Sequence, residues 1–81
     1  VTIPMDCEFL IVSSITYALK AKSELESHGI VCKVEKIKNV AALGGCGYGI
    51  RVRTADSALA RRYLSLNGIR VVMTMDCEAK T

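Results

Sequence analysis

Tryptophan is absent from these 81 residues, and histidine and phenylalanine occur once each. With aromatics at 5%, few residues exist for stacking unpaired bases, which argues against an RNA-binding sheet face. The lone histidine, His28, cannot supply the paired imidazoles of a zinc finger. The four cysteines, Cys7, Cys32, Cys46 and Cys77, contain no Cys-x-x-Cys pair, so neither structural zinc nor a thioredoxin-like site is expected. Long apolar runs are also missing. The uncharged stretches 9–19 and 39–50 fall short of the roughly 18–20 residues that a spanning helix needs, so no membrane partner is expected. No block of like charge exists either; the net +3 arises from 11 basic and 8 acidic side chains spread along the chain, too weak a bias to imply nucleic acid. Val1-Thr2-Ile3-Pro4 does not read as a secretory signal, and a cytoplasmic location is expected.

What is present fits one globular domain. The chain is 51% apolar and 23% charged, and at this length it buries about 60–65% of its unfolded surface. That supports one core beneath a single sheet, not a deep enclosed substrate cavity. The expected domain is 1–81, with a core over about 8–75 and short terminal extensions.

Periodicity divides the chain into six elements. Residues 8–13 are a nearly continuous apolar run, as in a central strand. Ser13, Ser14 and Thr16 offer capping hydroxyls to a helix in which Ala18, Ala21 and Leu25, with Leu19 as a further candidate, follow helical spacing, and which His28-Gly29 ends. A strand follows over 30–37, with Ile30, Cys32 and Val34 on one face, and another over 48–54, with Tyr48, Ile50 and Val52 facing the core. Between them, 38–47 places Gly44, Gly45 and Gly47 around Cys46 and is expected to be irregular. Asp56 is the expected cap of a second helix over 57–67, buried through Leu59, Tyr63 and Leu66. The last strand is expected over 69–75, alternating Ile69, Val71, Met73 and Met75 against Arg70, Val72 and Thr74.

Superposing Gly29 on Gly68 also aligns Leu25 with Leu64, Ala21 with Ala60 and Ile30 with Ile69, so the halves read as two related βαβ units. Two such right-handed units interleave most economically as a ferredoxin-like α+β sandwich. It has a four-stranded antiparallel sheet in the order 4-1-3-2 and both helices on one face.

This topology brings Cys46 towards Ser14. The amino end of a helix favours a thiolate, and Gly45 and Gly47 would let backbone amides approach the sulfur or an anion. Lys36, Lys38 or Arg51 would add positive charge. On spacing alone, a glycine turn in which Cys46 simply fills an apolar gap is the competing reading. The stretches Ser14-Ile15-Thr16-Tyr17-Ala18-Leu19-Lys20-Ala21, Gly29-Ile30 and Gly45-Cys46-Gly47-Tyr48-Gly49-Ile50 resemble the selenium/sulfur carrier-like family of small bacterial and archaeal proteins, over roughly 8–72. The resemblance implies that Cys46 is the carrier thiol, holding a covalent persulfide or selenium with no other cofactor and no metal. It also implies Ser14 as a site residue and sulfur or selenium donor and acceptor proteins as partners. The chain departs from the family at Lys38-Asn39, at Ala41-Ala42-Leu43-Gly44, where many relatives carry proline and serine, and at Lys22, where an acidic residue is common.

Other residues read more plainly. Cys32 belongs to the core and His28 is a helix-ending residue. Lys33, Arg51, Arg53 and Arg70 are expected to line the helix-free sheet face, through which a second copy could pair as a homodimer. Met5-Asp6-Cys7-Glu8 recurs as Met75-Asp76-Cys77-Glu78, and antiparallel pairing of the first and last strands would make Cys7 and Cys77 neighbours, expected as thiols in a reducing compartment yet close enough to permit a disulfide or, with the acidic residues, an adventitious metal site. No residue beside Cys46 is specified as a general base, so the chain reads as a carrier rather than an enzyme. The alternative is a ferredoxin-like small-molecule-sensing or protein-interaction module with no reactive cysteine.

Overall fold

In the computed structural model, which describes residues 7–77, the elements run β1 (Cys7–Val12), α1 (Ile15–Ser27), β2 (Cys32–Val40), a short 3-10 turn (Ala41–Leu43), β3 (Gly45–Arg53), α2 (Thr54–Leu66) and β4 (Met73–Cys77). The strands form one sheet in the order β2-β3-β1-β4 with every neighbouring pair antiparallel, which is the ferredoxin-like arrangement. The expected ends of the chain outside 7–77, including Met5, Asp6 and Glu78 of the repeated tetrapeptide, lie outside the described residues. No helix among the described residues is long and apolar enough to cross a membrane.

The core forms where the helices meet the sheet. Leu10 and Val12 of β1 and Ile50 and Val52 of β3 pack against Ala18, Ala21 and Leu25 of α1 and Ala60 and Leu64 of α2. Alanine at the central position of each helix lets the backbone come close to the sheet, while one leucine per helix fills the remaining depth; burying such a leucine contributes about 1.5–3 kcal/mol. The two halves end their helices in the same way. The Ile30 N–H donates to the Leu25 carbonyl at 2.9 Å and the Ile69 N–H to the Leu64 carbonyl at 2.9 Å. Gly29 and Gly68 supply the left-handed turns at φ 77° and 72°. His28 stacks on Tyr63 at 3.9 Å between ring centroids and pairs with Glu24 at 3.0 Å, so it ties the end of α1 to α2 instead of standing free in solvent.

Several boundaries differ from the periodicity. The buried stripe of α2 is Ser57, Ala60 and Leu64, while Leu59 and Leu66 are 45% and 73% exposed. The helix is rotated because its small residues, not its largest ones, face the sheet. Asp56 sits inside the first turn, bound to Arg53 at 3.0 Å, and does not cap the helix. Ser57 Oγ instead donates to the Glu8 carboxylate and anchors the start of α2 to β1. The last strand begins at Met73 rather than Ile69. Ile69 is held in the core by the turn after α2, and the Val72 N–H reaches the Ile11 carbonyl at 2.8 Å before the ladder starts. Met73 and Met75 then lie opposite Ile11 and Phe9, on the face away from the helices, not on the face of Ile69.

The β2–β3 connection also departs from expectation. Asn39 at φ 60° carries a bulge that lets β2 continue from Ile37 to Val40, and Gly44 at φ 68° turns the chain straight into β3. Only 41–44 is therefore non-strand. The 3-10 turn lays Leu43 over the helix-free face beside Ile11, which is fully buried there. A Cβ on Gly47 would stand 2.7 Å from Leu43 Cδ1 and 3.2 Å from both Ile11 Cγ2 and the Val12 carbonyl oxygen. Gly47→Ala should accordingly cost about 1–3 kcal/mol in urea unfolding. Leu43→Ala in the same chain should recover part of that loss; equal stability of Gly47→Ala and the parent chain would show that this closure does not constrain the strand.

Candidate functional site

The register Val12↔Tyr48 fixes the geometry around Cys46. Ser14 lies just beyond Val12 and Cys46 just before Tyr48, so both stand at the same end of the β1–β3 pair. Cys46 is the second residue of β3, with Gly45 opposite Val40 and Gly47 opposite Ile37. Strand alternation puts Cys46 on the face of Tyr48, Ile50 and Val52, which the helices cover, but beyond the core, where its thiol is free and exposed. The expected irregular cysteine loop is thus an extended strand end. The sequence could not show this, because the bulge at Asn39 that lengthens β2 has no periodic signal.

Ser14 is the N-cap of α1: at ψ 156° its Oγ accepts the Tyr17 N–H at 3.2 Å. The cap fixes where α1 starts relative to the end of β1. Gly47 shows a steric role under Leu43, whereas a Cβ on Gly45 would meet nothing within 4 Å. Of the cations considered, Lys36 lies opposite Tyr48 and so shares the face of Cys46. Arg51 does not. It lies opposite Phe9 and Lys33 on the helix-free face, 3.6 Å from the Glu35 carboxylate. Arg53 shares that face, opposite Cys7. Arg70 departs from the expected basic row, because the 67–72 connection carries it to the end of the sheet instead of into a strand.

There Arg70 helps line a cavity of about 360 Å³ together with Ser13, Tyr17, Leu43, Gly68 and Val72. Sequence reasoning missed this cavity because its walls come from three separate stretches of chain, 13–17, 43 and 68–72. It joins two hydroxyls and one guanidinium to the apolar surface of Leu43 and Val72, a mixture that suits a small ligand with one polar or anionic end. Among the described residues, no group of three or more His, Cys, Asp or Glu side chains could hold a metal ion.

The remaining cysteines separate sharply. Cys32 is a buried free thiol, and its Sγ lies 3.8 Å from the Lys22 carbonyl. Burial first, and the nearby Glu26 carboxylate second, push this thiol above its ordinary value of 9.0, with Lys22 opposing. Cys7 is disulfide-bonded, one of the states left open for this position by the sequence. The β1–β4 register puts Cys77 directly opposite it, so the expected adjacency of the two positions holds in the backbone. The Cys7 level of the sheet corresponds to Arg53, seven positions from Cys46 along β3, or about 23 Å. Direct exchange between Cys7 and Cys46 within one molecule is excluded by that length.

Site-resolved alkylation near neutral pH should modify Cys46 well before Cys32, by roughly tenfold or more on exposure and thiolate availability together. Comparable rates would remove the distinction. The Cys32 shift has a definite sign in stability: the unfolded thiol ionises before the folded one, so stability is full below the unfolded value and declines as pH rises through it. Urea melts above pH 9 should show this decline, and Cys32→Ala should flatten it; an unchanged slope would remove Cys32 as its source.

Comparison of the chain with protein-family models, with curated proteins and with solved structures finds no significant match to any of the three, so the function has to be argued from the site itself.

Proposed function

We propose that the protein is a sulfur or selenium carrier that holds the chalcogen on Cys46 for transfer between partner proteins. The observation that carries this reading is the contrast between cysteines: Cys46 is free and exposed at a strand end, while Cys32 is buried with its ionisation suppressed. A carrier needs a thiol that two different proteins can reach in turn. The residues on either side of Cys46, Gly45 and Gly47, carry no side chain to hinder either approach.

The transfer balances without an external oxidant. The Cys46 thiolate attacks the terminal sulfur of a donor persulfide, the donor S–S bond breaks, and the donor leaves as a thiolate that takes the proton. Cys46 then carries a persulfide, and an acceptor thiol removes its outer sulfur by the same step in reverse. Lys36 lies on the same face of the sheet as Cys46. Ser14 contributes by fixing the start of α1 beside the strand end.

A second reading is favoured by the cavity near Arg70: a ferredoxin-like module that senses a small molecule and uses no reactive cysteine. Intact mass after incubation with a persulfide donor separates the two. The carrier reading expects a gain of one sulfur atom that a reductant reverses and that Cys46→Ser abolishes, with Cys32→Ser still labelled. A parent protein that gains no sulfur, or a Cys46→Ser variant that gains as much, would reject the carrier.

A further inference from the structure

We propose that the cavity at the end of the sheet binds a small monocarboxylate with a short apolar body, held through Arg70. This names the ligand class for the small-molecule reading and rests on it, and it is independent of sulfur transfer at Cys46. The cavity measures about 360 Å³ and is lined by Ser13, Tyr17, Leu43, Gly68, Arg70 and Val72. That size lies at the low end of the roughly 300–1,000 Å³ usual for small-molecule sites.

Its walls are fixed before any ligand arrives. Ser14 caps α1 and so places Tyr17, whose N–H it accepts. Leu43 is laid over Gly47 beside Ile11. The 68–72 stretch is pinned on both sides of Arg70. The Ile69 N–H donates to the Leu64 carbonyl at 2.9 Å with the Ile69 side chain buried, and the Val72 N–H donates to the Ile11 carbonyl at 2.8 Å. A backbone held in this way loses little freedom when a ligand binds.

The fold does not require a cation at position 70. Ile30 of the first half corresponds to Ile69, so Val31 stands where Arg70 stands, and after a similar glycine turn it is 71% exposed. Among the described residues, Arg51 pairs with Glu35 and Arg53 with Asp56, whereas Arg70 has no acidic partner. Arg61 and Arg62 are unpaired as well, but they stand exposed on α2 and do not line the cavity.

The lining selects the ligand. Arg70 alone is charged among the lining residues, so a cation gains nothing there and one negative charge is matched. The guanidinium fork fits the two oxygens of a carboxylate in parallel. The hydroxyls of Ser13 and Tyr17 take part in no hydrogen bond among the described residues and are free to donate to the same anion. Leu43 and Val72, both half-buried, offer apolar surface to the carbon body. A phosphate dianion would keep one charge uncompensated and leave that apolar surface unused.

The test titrates the isotope-labelled full chain with sodium butyrate at constant ionic strength. Saturable amide shifts are expected at Ser13, Tyr17, Leu43, Gly68 and Val72, with affinity rising up to about fourfold per methylene from acetate to butyrate. Arg70→Gln should weaken binding on the order of tenfold or more with the dispersion of the spectrum retained. Should that variant fail to fold, Arg70→Lys, which keeps the charge and loses the fork, should show a smaller loss in the same direction. Cys46→Ser should bind as the parent does, so the result stands whatever the sulfur-transfer measurement gives. Butyrate binding that Arg70→Gln leaves unchanged, or that propylammonium matches, would overturn the proposal. Inorganic phosphate shifting these residues while butyrate does not would overturn the carboxylate class and leave the small-molecule reading standing; no saturable shift from either probe would overturn both.

Discussion

β1 is the strand on which every other element depends. It is hydrogen-bonded along both edges, to β3 and to β4, and Leu10, Ile11 and Val12 are fully buried. Its two faces are covered by different means. Helices α1 and α2 cover Leu10 and Val12, while the 3-10 turn brings Leu43 beside Ile11 on the other side. A one-residue slip would exchange these faces and put Ile11 against the helices, so the register is strongly specified. Once it is set, Val12↔Tyr48 and Cys7↔Cys77 follow, and with them both cysteine positions of interest.

The two ends of this strand differ in their surroundings. At its last residue, the start of α1, the 3-10 turn and the first residues of β3 converge, where the Cys46 thiol is exposed. At its first residue, Cys7 is disulfide-bonded and lies opposite the end of the edge strand β4. A rigid centre separates the two, and Cys32 within it is shielded from the chemistry open to either end. Burial thus separates the two free cysteines, Cys32 and Cys46.

The two halves of the chain are built on matching positions. Leu25 and Leu64, Ala21 and Ala60, and Ile30 and Ile69 occupy matching places, and each is buried. The matching turns after the helices repeat the same hydrogen bond to the leucine carbonyl. The halves differ where the candidate site lies: the first helix is capped by Ser14, whereas the second has no side-chain cap and is anchored by Ser57 on Glu8. The connection between the halves carries the bulge, the turn and Cys46.

The local pattern of the sequence sufficed for the order of elements, the pairing of strands, the shared face of Tyr48, Ile50 and Val52, and the helix-ending glycines. Each follows from short-range periodicity or from a backbone conformation that glycine adopts readily. The nearness of positions 7 and 77 was also legible, because antiparallel topology joins a first strand's start to a last strand's end. The buried side of α2 was not, since Leu59 and Leu66 fit a helical stripe equally well and only contact with the sheet selects the alanine side. Nor was the extended strand at Cys46, which depends on a bulge at Asn39 and on Leu43 folding over Gly47. The Cys7 bond and the Arg70 cavity likewise arise between segments far apart in sequence, where proximity is decided by the packed fold and not by any local preference of the chain.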